Sequence, residues 1–254
     1  MRTLIATLLF TATAFAQEKP KELLAAALKV SGECFYERDG KTMPAKPKTI
    51  FFRSDRLFTK KGKMDVQIGP VAVLHLAPYS TIRLSDLTEQ DRKSNIVVDL
   101  ESGQGYTKFA KKMGPGSKYT IRSPTLVAGI RGTEFILSAG DSSGESHEDS
   151  DIPQGVFVNT GVVAVSPINR EDDIIELQPG EQVTGVDNAL VKGVMEDFIK
   201  KKMKLFKQLN AMKEEQYRIL EREKNRQIEL LEKVKGSVNI DQLKEKNKQL
   251  FNKR

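Results

Sequence analysis

Ser123 to Leu137 reads SPTLVAGIRGTEFIL. An apolar run stops at Gly129, resumes at Ile130, and meets Arg131, Gly132 and Thr133 before a second run, Phe135-Ile136-Leu137. A charge, a glycine and a hydroxyl inside otherwise buried strand sequence suggest a phosphate loop, an adhesion tripeptide or a device of the fold. A phosphate loop requires a lysine and a following helix, and both are missing here. Arg-Gly-Thr lacks the carboxylate that ligates a receptor's metal. What remains is architecture. Gly129 and Gly132 permit a bend or bulge that Cβ atoms would resist. Past it, Glu134 is expected to face away while Phe135 and Leu137 enter a core. Arg131 is expected to bond carbonyls or a carboxylate across the bend.

The flanks of this stretch are short apolar segments separated by Gly, Pro, Asn or Asp. Upstream lie Thr49–Arg53, Val71–Leu76, Thr81–Leu84, Asn95–Leu100, Tyr106–Ala110 and Lys118–Arg122. Downstream lie Gly155–Val158, Val162–Val165, Asp173–Leu177 and Gln182–Val186. Several alternate, as Tyr119 and Ile121 do against Thr120 and Arg122. The pattern predicts a mainly β protein, an antiparallel sandwich or rolled β domain over residues 30–186, preceded by an N-terminal segment, 17–29. Asn159-Thr160-Gly161 and Pro179-Gly180 supply positive-φ positions between β runs, and both are expected to return the chain antiparallel. Residues 139–154 interrupt the pattern with an acidic loop containing DSSGESHEDSD. Its spacing departs from that of known calcium loops, so a solvated, flexible insertion is expected.

From Asp187 the period changes. Val191, Met195, Phe198, Leu205, Leu209, Met212 and Ile219 follow three-and-four spacing. The spacing predicts a long C-terminal α-helix of about 45 residues, capped by Asp187 or Asn188 and ending near Gly236. A short second helix is expected from Asn239, completing a coiled-coil-like tail over 187–254. Such a stripe is too long for one small domain, which points to an envelope protein or a second copy of the chain as its partner. Residues 189–254 hold 18 Lys and Arg against 10 Asp and Glu, so the net charge of +7 belongs to this tail.

The first residues, MRTLIATLLFTATAFA, have a positive start, a short apolar core and a small-x-small end, the pattern of a signal peptide over 1–16. Export, to the periplasm or to the cell surface and beyond, is the resulting expectation. Cys34 is the single cysteine, so disulfides cannot staple the fold internally. It reads as a small buried strand residue, with an intermolecular disulfide as the alternative. His75 and His147 have no partner at metal-ligand spacing, and there is no nucleophile elbow. No enzyme activity, metal or cofactor is therefore expected. Lys200–Lys207 interleaves lysines with Met, Leu and Phe. It reads most simply as a solvated helix face, with an anionic membrane surface as the alternative and nucleic acid disfavoured.

Ile130-Arg131-Gly132-Thr133-Glu134-Phe135, the stretch Val156–Val165 (VFVNTGVVAV) and the turn Leu177-Gln178-Pro179-Gly180-Glu181 together resemble the FecR domain, a bacterial envelope module. Val73–Leu84 and Leu100–Tyr106 resemble its earlier strand pair and turn, so the resemblance covers about residues 68–186. It implies a β-rich domain used for protein contacts. The family's iron-transport regulators add a cytoplasmic segment and a membrane helix, which are not found here, so their sigma-factor role is not carried over. A non-enzymatic interaction, structural or regulatory module of the envelope is expected, with glycan or membrane-surface association as the alternative.

Overall fold

The computed structural model describes residues 20–130, 132–140, 144–147, 149–186, 189–212 and 214–237. The expected signal peptide, Arg131, the cap candidates Asp187 and Asn188, and the expected second helix lie outside them. Segments rich in β-branched and aromatic residues form the strands. In chain order these are β1 (Lys21–Glu22), β2 (Ala25–Ser31), β3 (Cys34–Arg38), β4 (Lys41–Pro44), β5 (Ile50–Phe51), β6 (Arg56–Thr59) and β7 (Lys63–Ile68). Next come β8 (Ala72–Leu76), β9 (Thr81–Gln90), β10 (Lys93–Ser102), β11 (Gln104–Phe109), β12 (Lys118–Arg122) and β13 (Leu126–Ile130). The last are β14 (Glu134–Ser138), β15 (Gly155–Thr160), β16 (Val163–Pro167), β17 (Ile175–Leu177), β18 (Glu181–Val186) and β19 (Ala189–Val194).

They form two sheets. Sheet A has the order β17-β16-β13-β12-β10-β9-β6-β3-β4, with β1 along β9. Sheet B has the order β19-β18-β15-β14-β11-β8-β7-β2-β5. Pairing is antiparallel except between β10 and β12, where Asn95 to Asp99 run parallel to Lys118 to Arg122. Alternation puts one face of each sheet into a shared core: Ile82, Val98 and Ile121 from sheet A meet Val66, Leu74 and Phe135 from sheet B. Each such side chain contributes roughly 2 kcal/mol by leaving water. The mainly β sandwich expected from the sequence is therefore present.

Its turns work differently from expectation. The strands flanking Gly161 do not pair: β15 belongs to sheet B and β16 to sheet A. The same holds at Pro179-Gly180, where the chain leaves β17 in sheet A and enters β18 in sheet B. Both turns are corners between layers and not hairpins. Positive φ serves either geometry, which is why local chemistry could not separate them. The type II turn itself is present: Gly180 has φ +82°, and the Gln178 carbonyl accepts from Glu181 N–H at 3.0 Å. Gly132-Thr133 lies at another such corner, between β13 in sheet A and β14 in sheet B.

The tail departs further. Residues 189–194 are strand β19 on the edge of β18, with Val191 opposite Thr184. The single helix of about 45 residues is replaced by α1 (Asp197–Lys202), a 3-10 turn (Met203–Lys207) and α2 (Glu214–Ser237). Sheet B side chains capture the backbone on both sides of the break. Lys108 Nζ donates to Phe206 O at 2.7 Å, and Met212 N–H donates to Gln67 Oε1 at 2.9 Å. These bonds satisfy helix-end groups that a longer helix would have satisfied internally.

Candidate functional site

Of the signature residues, Gly132 and Gly161 do the most local work. Both have φ +76°, which L side chains rarely adopt. A Cβ on Gly161 would lie 2.5 Å from Thr133 Cγ2, so the two corners pack directly on one another. Thr133 is buried beneath them, and Phe135 is fully buried in the core. Gly129 is not a bulge. It sits in regular pairing within β13, opposite Ala164, and a Cβ there would make ordinary contact at 3.8 Å. The irregularity falls on β15, where pairing steps from Glu134↔Thr160 to Phe135↔Val158 and bypasses Asn159. Asn159 Nδ2 then donates to Glu134 Oε2 at 2.8 Å.

The tail residues divide into three groups. Met195 and Leu209 are buried together with Ile199, Met203 and Phe206 against Val73, Ala77, Tyr106, Ile136 and Phe157, and Phe198 and Leu205 pack around them. This second core covers the outer face of sheet B, so that part of the stripe is occupied by the chain's own sheet. Met212 is half-buried at the Gln67 contact. Val191 and Ile219 are exposed, at 50% and 42%. In α2, Tyr217 OH accepts from Leu24 N–H at 3.1 Å, Lys21 meets Glu221 at 2.9 Å, and Lys224 meets Glu22 at 3.3 Å. Beyond Lys224, Ile228 and Leu230 are exposed.

The basic run is likewise split. Lys200 pairs with Asp197 at 3.0 Å. Lys202 bridges Asp151 at 2.7 Å and Asp149 at 3.4 Å, tying the acidic loop to α1. Burial opposes the charge on the Lys202 amine, but the bonds and charges of Asp151 and Asp149 outweigh it and hold its pKa above the usual lysine range. Asp149 is buried, and Ile152 joins the second core, so the loop's C-terminal part is docked and not freely solvated. Among the described residues, no group of His, Cys, Asp and Glu side chains is arranged to hold a metal ion.

Lys201 and Lys204 line a cleft of about 550 Å³ between sheet B and the α1 segment. At its floor His75 Nδ1 lies 2.5 Å from Asp65 Oδ1, with both side chains largely buried. The sequence reading missed this pair. Asp65 and His75 sit symmetrically about the Gly69-Pro70 turn, so a hairpin centred there would have placed them opposite one another. Ser31 also lines the cleft, but it lies on β2, two strands from β8.

A second cleft, of about 830 Å³, lies where α2 meets the β9–β10 turn and the 111–117 loop. Its six Lys and Arg side chains face three glutamates, and one of these, Glu221, holds Lys21. Cys34 is buried within 3.4 Å of the Lys63 carbonyl, and burial pushes its thiol up to about 11. Such a thiol is neither ionised nor accessible at neutral pH.

Two crystal structures of a candidate anti-sigma factor from Parabacteroides distasonis ATCC 8503 are similar to this chain. One, at 2.50 Å resolution, aligns at 17% identity and a TM-score of 0.43; the other, at 1.65 Å, aligns at 18% and 0.44. Each alignment covers 56% of this chain and 60% of the other, so the similarity spans less than two thirds of those proteins. A comparison with curated proteins gives no match. The family model described as FecR protein matches residues 55–164. It starts upstream of Ile68 and ends within β16, so the Leu177–Glu181 turn falls outside it. From Asp55 to Ala164, a span that includes the corners at Gly132 and Gly161, the sequence matches the FecR family model.

Proposed function

We propose that the protein is a non-catalytic interaction module of the bacterial cell envelope, and that the β17/β19 end of its sandwich receives an extended segment of a partner protein. The observation that carries this reading is the edge strand β19. It pairs only with β18 among the described residues, and it exposes Val191 at 50% and Val194 at 77%. Ile174, just before β17, is 63% exposed at the same end. A free edge with apolar side chains is a template for strand addition. Lys192, the charge that would guard it, is folded back onto Glu181 at 2.8 Å and the Glu176 carbonyl at 2.7 Å. The opposite ends are blunted: β5 has two residues, and β4 carries Lys41 and Pro44.

The envelope setting draws on the FecR domain and on the signal-peptide pattern of residues 1–16. The non-catalytic part draws on a sequence without a nucleophile–base pair. Crosslinking in intact cells is expected to give one dominant partner with the full chain and none with the Val191→Asp/Val194→Asp variant. Equal capture by the variant would refute the edge as the contact. Sedimentation of the purified chain separates self-association, which would make the partner a second copy, from binding to a different protein.

A further inference from the structure

The cleft beneath α1 holds more positive charge than its carboxylates neutralise. Five lysines and one aspartate line it. Lys202 is engaged by Asp149 and Asp151, and Asp65 is engaged by His75. Lys29 from β2, Lys201 from α1 and Lys204 from the 3-10 turn form no close ion pair with a carboxylate among the described residues, although Asp197 acts on Lys201 from a longer range. Three exposed ammonium groups lining one cleft from three elements give it a net positive charge that an anion can offset. A single surface lysine asks for nothing of the kind. Here the tail had to fold back on sheet B to complete the arrangement.

The floor adds direction. Asp65 occupies His75 Nδ1, which fixes the ring, and Tyr106 packs edge-on to it at 5.6 Å between centroids. Nε2 makes no bond to the described protein, and His75 forms part of the cleft lining. The apolar wall is Leu205 and Leu209. A volume of about 550 Å³ is larger than a lone ion needs and lies in the range of small-molecule sites. Lysines act as point charges with rotatable donors, a chemistry suited to phosphate and its several oxygens.

We propose that this cleft binds a phosphate-bearing ligand, held by Lys29, Lys201 and Lys204, with His75 Nε2 making a directional contact at its floor. The group is carried either by a soluble phosphomonoester or by a phospholipid headgroup. The remainder of the ligand rests on Leu205 and Leu209. The site is separate from the β19 edge, so its test is independent of the strand-addition reading.

The test exploits the division of the basic run. Lys201 and Lys204 line the cleft, whereas Lys200 and Lys207 belong to the same run and do not. The full chain is titrated with inorganic phosphate and with glycerol 3-phosphate at constant ionic strength. It is also titrated with vesicles of phosphatidylcholine alone or with added phosphatidylglycerol. The Lys201→Ala/Lys204→Ala variant is expected to weaken binding at least about tenfold, since charge-assisted bonds contribute roughly 1.5 kcal/mol or more each. The Lys200→Ala/Lys207→Ala variant removes the same charge and is expected to change binding less than about twofold. A soluble probe that binds with this asymmetry supports a phosphomonoester. Vesicle binding alone, with the same asymmetry, supports a headgroup. Equal losses in the two variants, or no binding to any probe, overturn the proposal. Circular dichroism of both variants checks that the fold is retained, and the exposure of all four lysine heads makes that outcome expected.

Discussion

The outer faces of the two sheets have opposite fates, although both are made by the same strand alternation. Sheet A turns charge outward. Arg83 and Arg56 converge on Glu101, Arg122 pairs with Asp99, and Asn95 donates to Asp86, all bordering water. Sheet B turns Val73, Tyr106, Ile136 and Phe157 outward, and residues 195–209 cover them. What the outward-facing positions contain therefore tells whether a layer lies above. The covered face is also the one that forms a cleft, because polar Asp65 and His75 sit beside the apolar patch, where the cover does not close completely.

Mutations that test this contrast have graded effects. Phe206→Ala removes the largest buried side chain of the cover and is expected to cost about 3–5 kcal/mol in denaturant unfolding, with the 195–209 segment becoming sensitive to protease. A loss below about 1 kcal/mol would mean that sheet B does not need its cover. Gly161→Ala forces a Cβ into the left-handed region and against Thr133, at a cost of about 2 kcal/mol. Gly129→Ala, inside regular strand and with room for the methyl, is expected to be close to neutral. Equal effects at the two glycines would refute the corner assignment.

Lys202→Ala strands the buried Asp149 and is expected to cost about 1–2 kcal/mol, read as faster cleavage in the acidic loop. The same bond has a pH signature. The Lys202 pKa is raised in the folded protein, so its contribution is complete below the ordinary lysine value of about 10.4 and is lost as pH rises through the raised value. Loop protection that instead fades between neutral pH and pH 9 would point to another group. Arg83→Ala, on the open face, is expected to change stability by less than about 1 kcal/mol, since its head is half exposed and solvent screens the pair.

The corners show what local sequence can and cannot convey. Gly161 and Pro179-Gly180 were recognisable as positive-φ turns, and Tyr119 and Ile121 as inward residues of a strand. Which sheet the next strand joins depends on pairings far along the chain, and no turn residue encodes it. The tail shows the converse. Met195, Phe206 and Leu209 announced an apolar face, but the surface they meet is built by strands more than 35 residues upstream. Val191 matched the helical spacing by coincidence, because ALVKGV offers β18 an equally good strand. At the candidate cleft, the lysine run was visible in the sequence. Lys29, Asp65 and His75 acquire meaning only once β2, β7 and β8 lie side by side.

The cover over sheet B also imposes an order on biosynthesis. A chain made from its N-terminus completes Val73, Tyr106, Ile136 and Phe157 well before it reaches Met203 and Phe206. For that interval the β layers can assemble while one face stays wet and adhesive, the condition in which partly made chains stick to one another. Translation that stops short of Phe206 would leave that face permanently bare, and quality-control proteases could distinguish such a product from the finished protein by its surface alone.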